Sequence, residues 1–213
     1  MQYLSQRLAS KPSPGRGGDP PPGALPPPQR ERILDATERL IAEHGCTGAS
    51  IEAIVKAAGV SSVTFYEFFE GKEECFVAAF DRAVEGGAAE LARVTEAEEL
   101  SWPEQIATGL RAVTALIGAE PERARLCLGE AQTGGPELSA HFEAALDRVA
   151  AKLREGRALE TAPSDLPATH EEATAGALAW LLRERLETGD TEGLEALYPQ
   201  LVDIALAPYL DDG

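Results

Sequence analysis

Positive charge is scarce in this 213-residue chain, and the deficit limits the partners that it attracts. The sequence contains 19 Lys and Arg against 36 Asp and Glu, for a formal net charge of -17. Because binding a polyanion begins with neutralising its phosphates, this acidity by itself disfavours nucleic acid as a partner. Hydrophobic residues nevertheless make up 44% of the chain, which is enough for a buried core and excludes disorder of the whole chain.

Long apolar runs and paired cysteines are also missing. No stretch approaches the roughly 18 residues of a membrane span, and no signal-peptide pattern opens the chain, so we expect a cytoplasmic protein with no membrane partner. Cys46, Cys75 and Cys127 lie too far apart for a CxxC metal site or a disulfide framework. They are predicted to be reduced thiols, with Cys127 either a small core residue or a redox sensor.

Catalytic and cofactor motifs are absent from the sequence as well. It contains no Ser-His-Asp arrangement, no G-x-S-x-G, no P-loop and no GxGxxG. Its histidines, His44, His141 and His170, do not have the spacing of a metal site such as HExxH. We therefore expect neither an enzyme nor a bound metal or cofactor.

Two patterns divide the chain into an arm and a helical part. Residues 1–29 contain 8 of the 15 prolines and too few apolar residues to offset their ordering entropy, which predicts a disordered arm. From residue 30 onward apolar residues recur at helical spacing, and alternating β-branched runs are absent. Capping-box patterns at Ser101–Glu104 and Thr169–Glu172 mark two helix starts, and Gly45 marks a helix end. The pattern predicts an all-α fold.

Residues 50–69, SIEAIVKAAGVSSVTFYEFF, have the pattern of a helix-turn-helix. Ser50 is a suitable cap for the first helix, Gly59 for its left-handed end, and Ser61 for a second, short helix. Small and polar side chains at the start of that second helix suit a major groove about 12 Å wide. By pattern alone, the motif also fits an αα turn in an ordinary helical bundle.

The surrounding sequence, residues 30–80, resembles the N-terminal domain of TetR-family transcriptional regulators. The matching features are the RERILDAT opening, HG at the end of the first helix, the AAGVS turn, the TFYEFF stretch and the GKEE start of a fourth helix. The resemblance implies a three-helix DNA-binding domain at 30–76 and a helical effector-binding and dimerisation domain at 77–213. It also implies a homodimer that binds double-stranded operator DNA as a repressor and is released by a small-molecule effector.

The resemblance further implies which side chains contact DNA. Lys72 corresponds to a lysine at a helix N-terminus, where free N–H groups and the helix dipole favour an anion. The arm at 1–29 has three open roles, namely contacts with phosphates or the minor groove, an inert tail, or a wrongly assigned start codon. Phosphate contacts are implied for Thr47, Ser50, Tyr66 and Lys72, and the base-reading turn for Ser61, Ser62, Val63 and Thr64.

The chain departs from the family pattern in charge. Ser62 stands where many relatives have a basic or amide residue, and Glu67 and Glu70 put carboxylates near the expected path of the phosphates. We therefore expect specificity from Val63 against a thymine methyl, from hydroxyls and from DNA shape. The same features leave an alternative function open: an all-helical small-molecule binding or interaction module with a degenerate DNA-binding domain.

Apolar residues on the middle helices are candidates for the effector pocket, because relatives bind small molecules between these helices. The alternative is plain bundle core, since core residues and apolar pocket linings have the same composition. On the last helix, predicted from about Glu192 to Ala207, Leu194, Leu197, Leu201 and Ile204 form a stripe compatible with the family's dimer interface. The pocket candidates are Trp102, Leu110, Val113, Leu126, Cys127, Phe142, Leu146 and Trp180.

Overall fold

The computed structural model describes residues 28–95, 100–131, 133–189 and 191–210, so the predicted arm lies almost entirely outside the described residues. All regular elements of the described residues are helical, which confirms the all-α prediction. They are α1 (Gln29–Gly48), α2 (Ile51–Ala58), α3 (Ser62–Phe68), α4 (Lys72–Thr95), α5 (Trp102–Ala119), α6 (Pro121–Ala124), α7 (Pro136–Arg154), α8 (His170–Thr188) and α9 (Thr191–Leu206).

The ends of three helices test the local signals in the sequence. Gly45 has φ 69 and ψ 170, which ends the regular part of α1 where the pattern predicted, and one further turn follows it. The capping box at α5 is confirmed, because Ser101 N–H donates to the Glu104 carboxylate at 2.9 Å. The one predicted at α8 is wrong: the Thr169 side chain makes no capping hydrogen bond, and Glu172 pairs with Arg154 instead.

The first hydrophobic core joins the helix-turn-helix to the rest of the molecule. We call α1 to α3 with the first turn of α4 the head, and the helices after it the body. Ile54 and Phe65 are fully buried in the head, and Leu126 and Leu138 of the body belong to the same cluster. Apolar packing therefore continues past residue 76, where α4 also runs without a break. The domain boundary at that residue stays a prediction.

The second core fills the body, where α5, α7, α8 and α9 meet. Leu194, Leu197 and Leu201 are buried in it, because α9 turns this face toward α5 and α8 of the same chain. The interpretation of the α9 stripe as a dimer surface is therefore wrong for these three leucines. Ile204, the fourth member of the stripe, is 38% exposed.

A buried carboxylate ties the head to the body. Glu38 of α1 accepts a hydrogen bond from Arg82 Nε of α4 at 3.0 Å and another from Arg123 Nε of α6 at 2.9 Å. Arg82 also reaches Glu31 and Asp35 on the exposed side of α1. The two arginines come from different helices and bind different oxygens of the same carboxylate. The pairs therefore hold α1 in one position against α4 and α6.

Candidate nucleic-acid interface

The turn between α2 and α3 is built from local caps. Ser50 Oγ accepts a hydrogen bond from Ala53 N–H at 3.2 Å, and Ser61 Oγ accepts one from Thr64 N–H at 3.0 Å, so each serine caps the helix that follows it. Gly59 ends α2 with φ 63 and ψ 40, the left-handed conformation that glycine adopts without a Cβ clash. These contacts fix the angle at which α3 leaves the turn.

One face of α3 is buried and the other is exposed. Phe65 is fully buried and Phe69, just past the helix end, is nearly so, whereas Val63 is 72% exposed and Tyr66 58% exposed. Ser62, in the first turn, is exposed as well. Because the aromatic rings anchor the helix from behind, its first turn is presented to solvent as a rigid surface. Three residues of the predicted base-reading turn, Ser61, Ser62 and Val63, are thus exposed, whereas Thr64 is half-buried with its Oγ1 3.0 Å from Ser61 Oγ.

Two of the predicted phosphate contacts meet at a second surface of the head. Thr47 and Lys72 line one small pocket of about 130 Å³. Lys72 is the first residue of α4, so its ammonium adds to the positive end of that helix dipole. Its Nζ lies 5.8 Å from the centroid of the Phe76 ring. Thr133 and Gly135, from the loop before α7, line the same pocket, so the body directly adjoins the predicted phosphate contacts.

Carboxylates lie close to the end of α3. Glu67 and Glu70 are both exposed, as the departures from the family pattern suggested. The N–H of Glu70 donates to the carboxylate of Glu74 at 2.5 Å, which shapes the turn into α4. Arg30 places its guanidinium 5.6 Å from the centroid of the Phe69 ring. Any polyanion on this surface would therefore meet cations and carboxylates together.

A contact between the body and the last turn of α1 has no signal in the sequence. Glu130 Oε2 accepts hydrogen bonds from Cys46 N–H at 2.9 Å and from Thr133 Oγ1 at 2.8 Å. Glu130 directly follows a π turn, Arg125–Gly129, and its own N–H donates to Arg125 O at 3.0 Å. Since Cys46 and Glu130 are 84 positions apart, no local pattern in the sequence links them.

The structure distributes the eight candidates for the effector pocket over separate places. Some contact the core that extends from the head, others pack against the body core, and Trp180 on α8 is 57% exposed. Trp102 donates its Nε1–H to Lys152 O at 2.9 Å and packs on Tyr209, so it fastens the body. The pocket stays a prediction. The candidates that contact the core extending from the head are Leu126, Cys127 and Phe142. Those that pack against the body core are Trp102, Leu110 and Val113, and Leu146 is half-buried on α7.

The three cysteines are free, and burial makes them poor nucleophiles. Burial raises the pKa of the Cys46 and Cys127 thiols to about 12 and that of Cys75 to about 11. All three are protonated at neutral pH, whereas the reactive form is the thiolate. These values favour the core interpretation of Cys127 over the redox sensor.

The described residues contain no candidate for a metal site and no candidate for a membrane-spanning helix. Three or more His, Cys, Asp or Glu side chains do not come together there in a group able to hold a metal ion. None of the described helices is both long enough and apolar enough to cross a membrane.

The head is the part of the chain that matches a known protein family. Residues 33–79 match the family of bacterial regulatory proteins called the tetR family, and this segment contains the helix-turn-helix. An HTH-type transcriptional regulator from the lacX 3' region of Lactococcus lactis subsp. lactis is 40% identical over 55 residues, which are 26% of this chain. The match spans 28% of that protein's own length.

Similar solved structures extend over most of the chain. The fatty acid degradation regulator FadR from Bacillus halodurans has a TM-score of 0.73 at 21% identity, covering 86% of this chain and 97% of its own. FadR from Bacillus subtilis in complex with stearoyl-CoA has a TM-score of 0.66 at 21% identity, covering 84% and 98%. PfmR from Thermus thermophilus has a TM-score of 0.64 at 21% identity, covering 86% and 98%. At this identity the likeness is one of fold.

Proposed function

We infer that this chain, which belongs to the TetR family of bacterial regulators through its N-terminal domain, is a transcriptional repressor that binds double-stranded operator DNA. The observation that carries the inference is the exposed first turn of α3, held between the Ser61 cap and the buried Phe65. Val63 is available there for a thymine methyl and Ser62 for a polar base edge. A helix projecting from a fixed turn in this way has the geometry of a recognition helix.

Phosphate contacts would surround that helix. The Tyr66 hydroxyl is exposed on α3, and Ser50 starts α2 with free backbone N–H groups nearby. Thr47 and Lys72 share one pocket, with Lys72 at the N-terminus of α4. Hydroxyls, an ammonium and helix N-termini are the groups that position a protein on a DNA backbone without reading its sequence.

We propose that the protein acts as a homodimer on a pseudo-palindromic operator. Two heads would then enter successive major grooves about 34–36 Å apart. Trp180 on α8 and Ile204 on α9 are large apolar side chains that the single chain leaves exposed. A second copy packed on these two helices would cover them, because burying apolar surface drives association.

The dimer is tested by sedimentation at micromolar concentration. We expect the wild-type chain to sediment as a dimer and Trp180→Glu to sediment as a monomer with unchanged helix content, because a buried unpaired carboxylate disfavours the interface. Val63→Glu, which places the same carboxylate at an exposed apolar position of the head outside the proposed interface, is the matched control. A wild-type monomer at every concentration would contradict the proposal.

The effector is proposed to be a small molecule that binds in the body and lowers operator affinity. A fatty acyl-CoA is the first class to test, because FadR from Bacillus subtilis, which has a similar fold, was solved with stearoyl-CoA. The half-buried apolar side chains of α5 and α7, including Val113 and Leu146, are candidates for contacts with an acyl chain. Linkage requires that operator DNA weaken effector binding by the same factor.

One experiment separates this function from its alternative. The full chain is used to select duplexes from random DNA, and the selected duplex is then titrated with and without stearoyl-CoA and a metabolite library. Enrichment of a two-fold symmetric sequence supports the operator-binding function, and release by one compound supports the effector. The alternative, a small-molecule binding module with a degenerate head, is favoured by the exposed Glu67 and Glu70. It predicts no enrichment but retained ligand binding.

A further inference from the structure

We propose that Glu130 is a positioning residue for DNA binding: its carboxylate holds the Cys46–Ser50 segment of the head in the conformation that contacts phosphates. The inference rests on the proposed function. Glu130 belongs to the body, yet Cys46, whose N–H it accepts at 2.9 Å, immediately precedes Thr47. The carboxylate therefore reaches the backbone of the segment that ends in the Ser50 cap.

The segment needs an external partner because the regular part of α1 is interrupted at Gly45. With φ 69 and ψ 170, Gly45 turns the chain away from the helix axis, so helical hydrogen bonding does not continue into Cys46. The carboxylate supplies the missing acceptor, and an ionised acceptor forms a stronger hydrogen bond than a neutral one. A Cβ at Gly45 would lie 3.1 Å from Glu130 Oε2, so the close approach depends on glycine.

Hydrogen bonds to nearby residues of the same segment, 125–134, hold Glu130 in place. Its N–H closes the π turn with Arg125 O at 3.0 Å, and its backbone oxygen accepts from Gly134 N–H at 3.1 Å. Thr133 Oγ1 donates to the same carboxylate oxygen that accepts from Cys46. The loop that orients the carboxylate also lines the pocket of Thr47 and Lys72, so it adjoins the phosphate surface at two points.

The π turn gives this contact a discrete way to change. A π turn holds one more residue per hydrogen-bonded ring than an α-helix and often lies at functional sites. Converting Arg125–Gly129 to regular α-helix would shift the register by one residue and rotate Glu130 by about 100° away from Cys46. An effector that favours either form in the body would then change the order of the phosphate-contacting segment. Coupling between distant sites requires an element with two discrete arrangements, and the π turn would be that element.

The test uses the sign of the effect on DNA affinity. Removing a carboxylate near a DNA-binding surface strengthens binding if charge alone matters. If Glu130 positions the segment, Glu130→Ala weakens it by about tenfold, because the segment must then be ordered on binding. Glu130→Gln keeps an oxygen acceptor without the charge, so it should bind within about twofold of the wild type or more tightly. Glu137→Ala, an exposed glutamate in the first turn of α7, is the matched control and should not weaken binding.

The full-length variants are titrated with the duplex that the wild-type chain selects from random DNA. Amide hydrogen exchange of residues 46–49 is measured on the free proteins, together with their thermal unfolding. We expect the fastest exchange in Glu130→Ala and an intermediate rate in Glu130→Gln, whose neutral oxygen accepts a weaker hydrogen bond. Thr133→Val removes only the second donor to the carboxylate and leaves no large cavity. It should weaken binding by about threefold, which keeps the test informative if Glu130→Ala is poorly folded.

The outcomes separate the two proposals. If the wild-type chain selects no duplex, the proposed function fails and this inference fails with it. If the wild type binds its duplex and Glu130→Ala binds equally or more tightly, only the inference fails. Equal weakening in Glu130→Ala and Glu130→Gln would also overturn it, because the effect would then not depend on the hydrogen-bond acceptor that glutamine retains. Weakening by alanine with rescue by glutamine supports it.

Discussion

Val63 and Phe65 are two residues apart on α3, yet one is 72% exposed and the other fully buried. Their difference follows from the helical period, which turns neighbouring side chains in different directions. The sequence pattern therefore predicted the inward and outward faces of α3 from local information. The spacing places Phe65 inward together with Phe68 or Phe69, and it places Ser62, Val63, Thr64 and Tyr66 outward. The structure buries Phe69 and leaves Phe68 38% exposed, because the chain leaves the helix at Phe69.

The first prediction distinguishes phosphate contacts from base contacts. Tyr66→Phe and Lys72→Ala should each weaken binding by about tenfold for every DNA sequence, since each removes a group that we propose hydrogen-bonds to a charged phosphate. Val63→Ala and Thr64→Ala should instead change the preferred base at one position by about fivefold. Duplexes with single base changes, titrated in a mobility-shift assay, measure both effects. Phe65→Leu serves as a stability control because this residue is buried in the core. Unaltered binding by all four folded variants would refute the assignment of α3.

At the scale of elements, a single glycine ends the regular part of α1. Gly45 combines a positive φ with an extended ψ, a region that is essentially restricted to glycine. An oxygen of the Glu130 carboxylate lies 3.1 Å from the position that a Cβ would take, which is closer than an ordinary van der Waals contact. The sequence signal for a helix end was sufficient to locate this residue. That signal contained no information on Glu130, the residue of the body that approaches Gly45.

The second prediction compares two glycines of α1 and α4. Gly45→Ala should destabilise the protein by about 1–3 kcal/mol, because the backbone conformation becomes strained and the carboxylate must move. Gly86→Ala, in the open and exposed middle of α4, should be neutral or stabilise by up to about 1 kcal/mol. Urea unfolding followed by circular dichroism measures both. Equal stabilities of the two variants would show that Gly45 needs no positive φ.

The start of α8 shows how a tertiary contact overrides a local signal. Thr169 and Glu172 have the spacing of a capping box, but Glu172 pairs with Arg154 of α7. The preceding glutamate, Glu171, is also committed, because it is fully buried and accepts hydrogen bonds from Arg157 and Tyr209. Once the helix is positioned by these partners from distant parts of the chain, a local cap is not required. A sequence pattern reports only that such a cap is available.

At the scale of the whole molecule, Glu171 anchors the C-terminal end of the described chain. Arg157 donates to its carboxylate at 2.7 Å and Tyr209 Oη at 2.8 Å, while Thr161 Oγ1 donates to Tyr209 O at 2.6 Å. The Arg157 guanidinium, together with the Tyr209 hydroxyl, lowers the pKa of Glu171 from 4.5 to about 2. The ionised carboxylate therefore stabilises the folded chain at neutral pH.

The third prediction concerns acid. Because the pKa of Glu171 is lower in the folded state, its contribution is complete above the unfolded value of 4.5 and is lost as the pH falls toward 2. That contribution is on the order of 3 kcal/mol. Glu171→Gln should be less stable at pH 7 and should lose less stability between about pH 5 and 2. Glu172→Gln, the exposed neighbour, is the control. Parallel acid-unfolding curves for wild type and Glu171→Gln would contradict the assignment.

The fourth prediction follows from the net charge of -17, of which -15 lies in residues 81–213. Operator affinity should depend on a few cations and helix N-termini in the head, while the acidic body discourages non-specific binding. If each head neutralises about two phosphates, the logarithm of the binding constant should fall against the logarithm of the salt concentration with a slope of about -4 for a dimer. A titration series in potassium chloride gives this slope. A value near about -10, as for a strongly basic repressor, would contradict it.

The sequence by itself determined the helical class, the helix-turn-helix with its Ser50 and Ser61 caps, and the outward face of α3. These features depend on contacts between residues at most four positions apart, which periodicity and capping patterns encode directly. Only the tertiary structure decided that the α9 leucines are buried in the body and that Glu130 bonds Cys46. The sequence does not show which apolar helix faces pack against each other, because their compositions are alike. A hydrogen bond over 84 positions leaves no local trace, because any exposed glutamate would look the same.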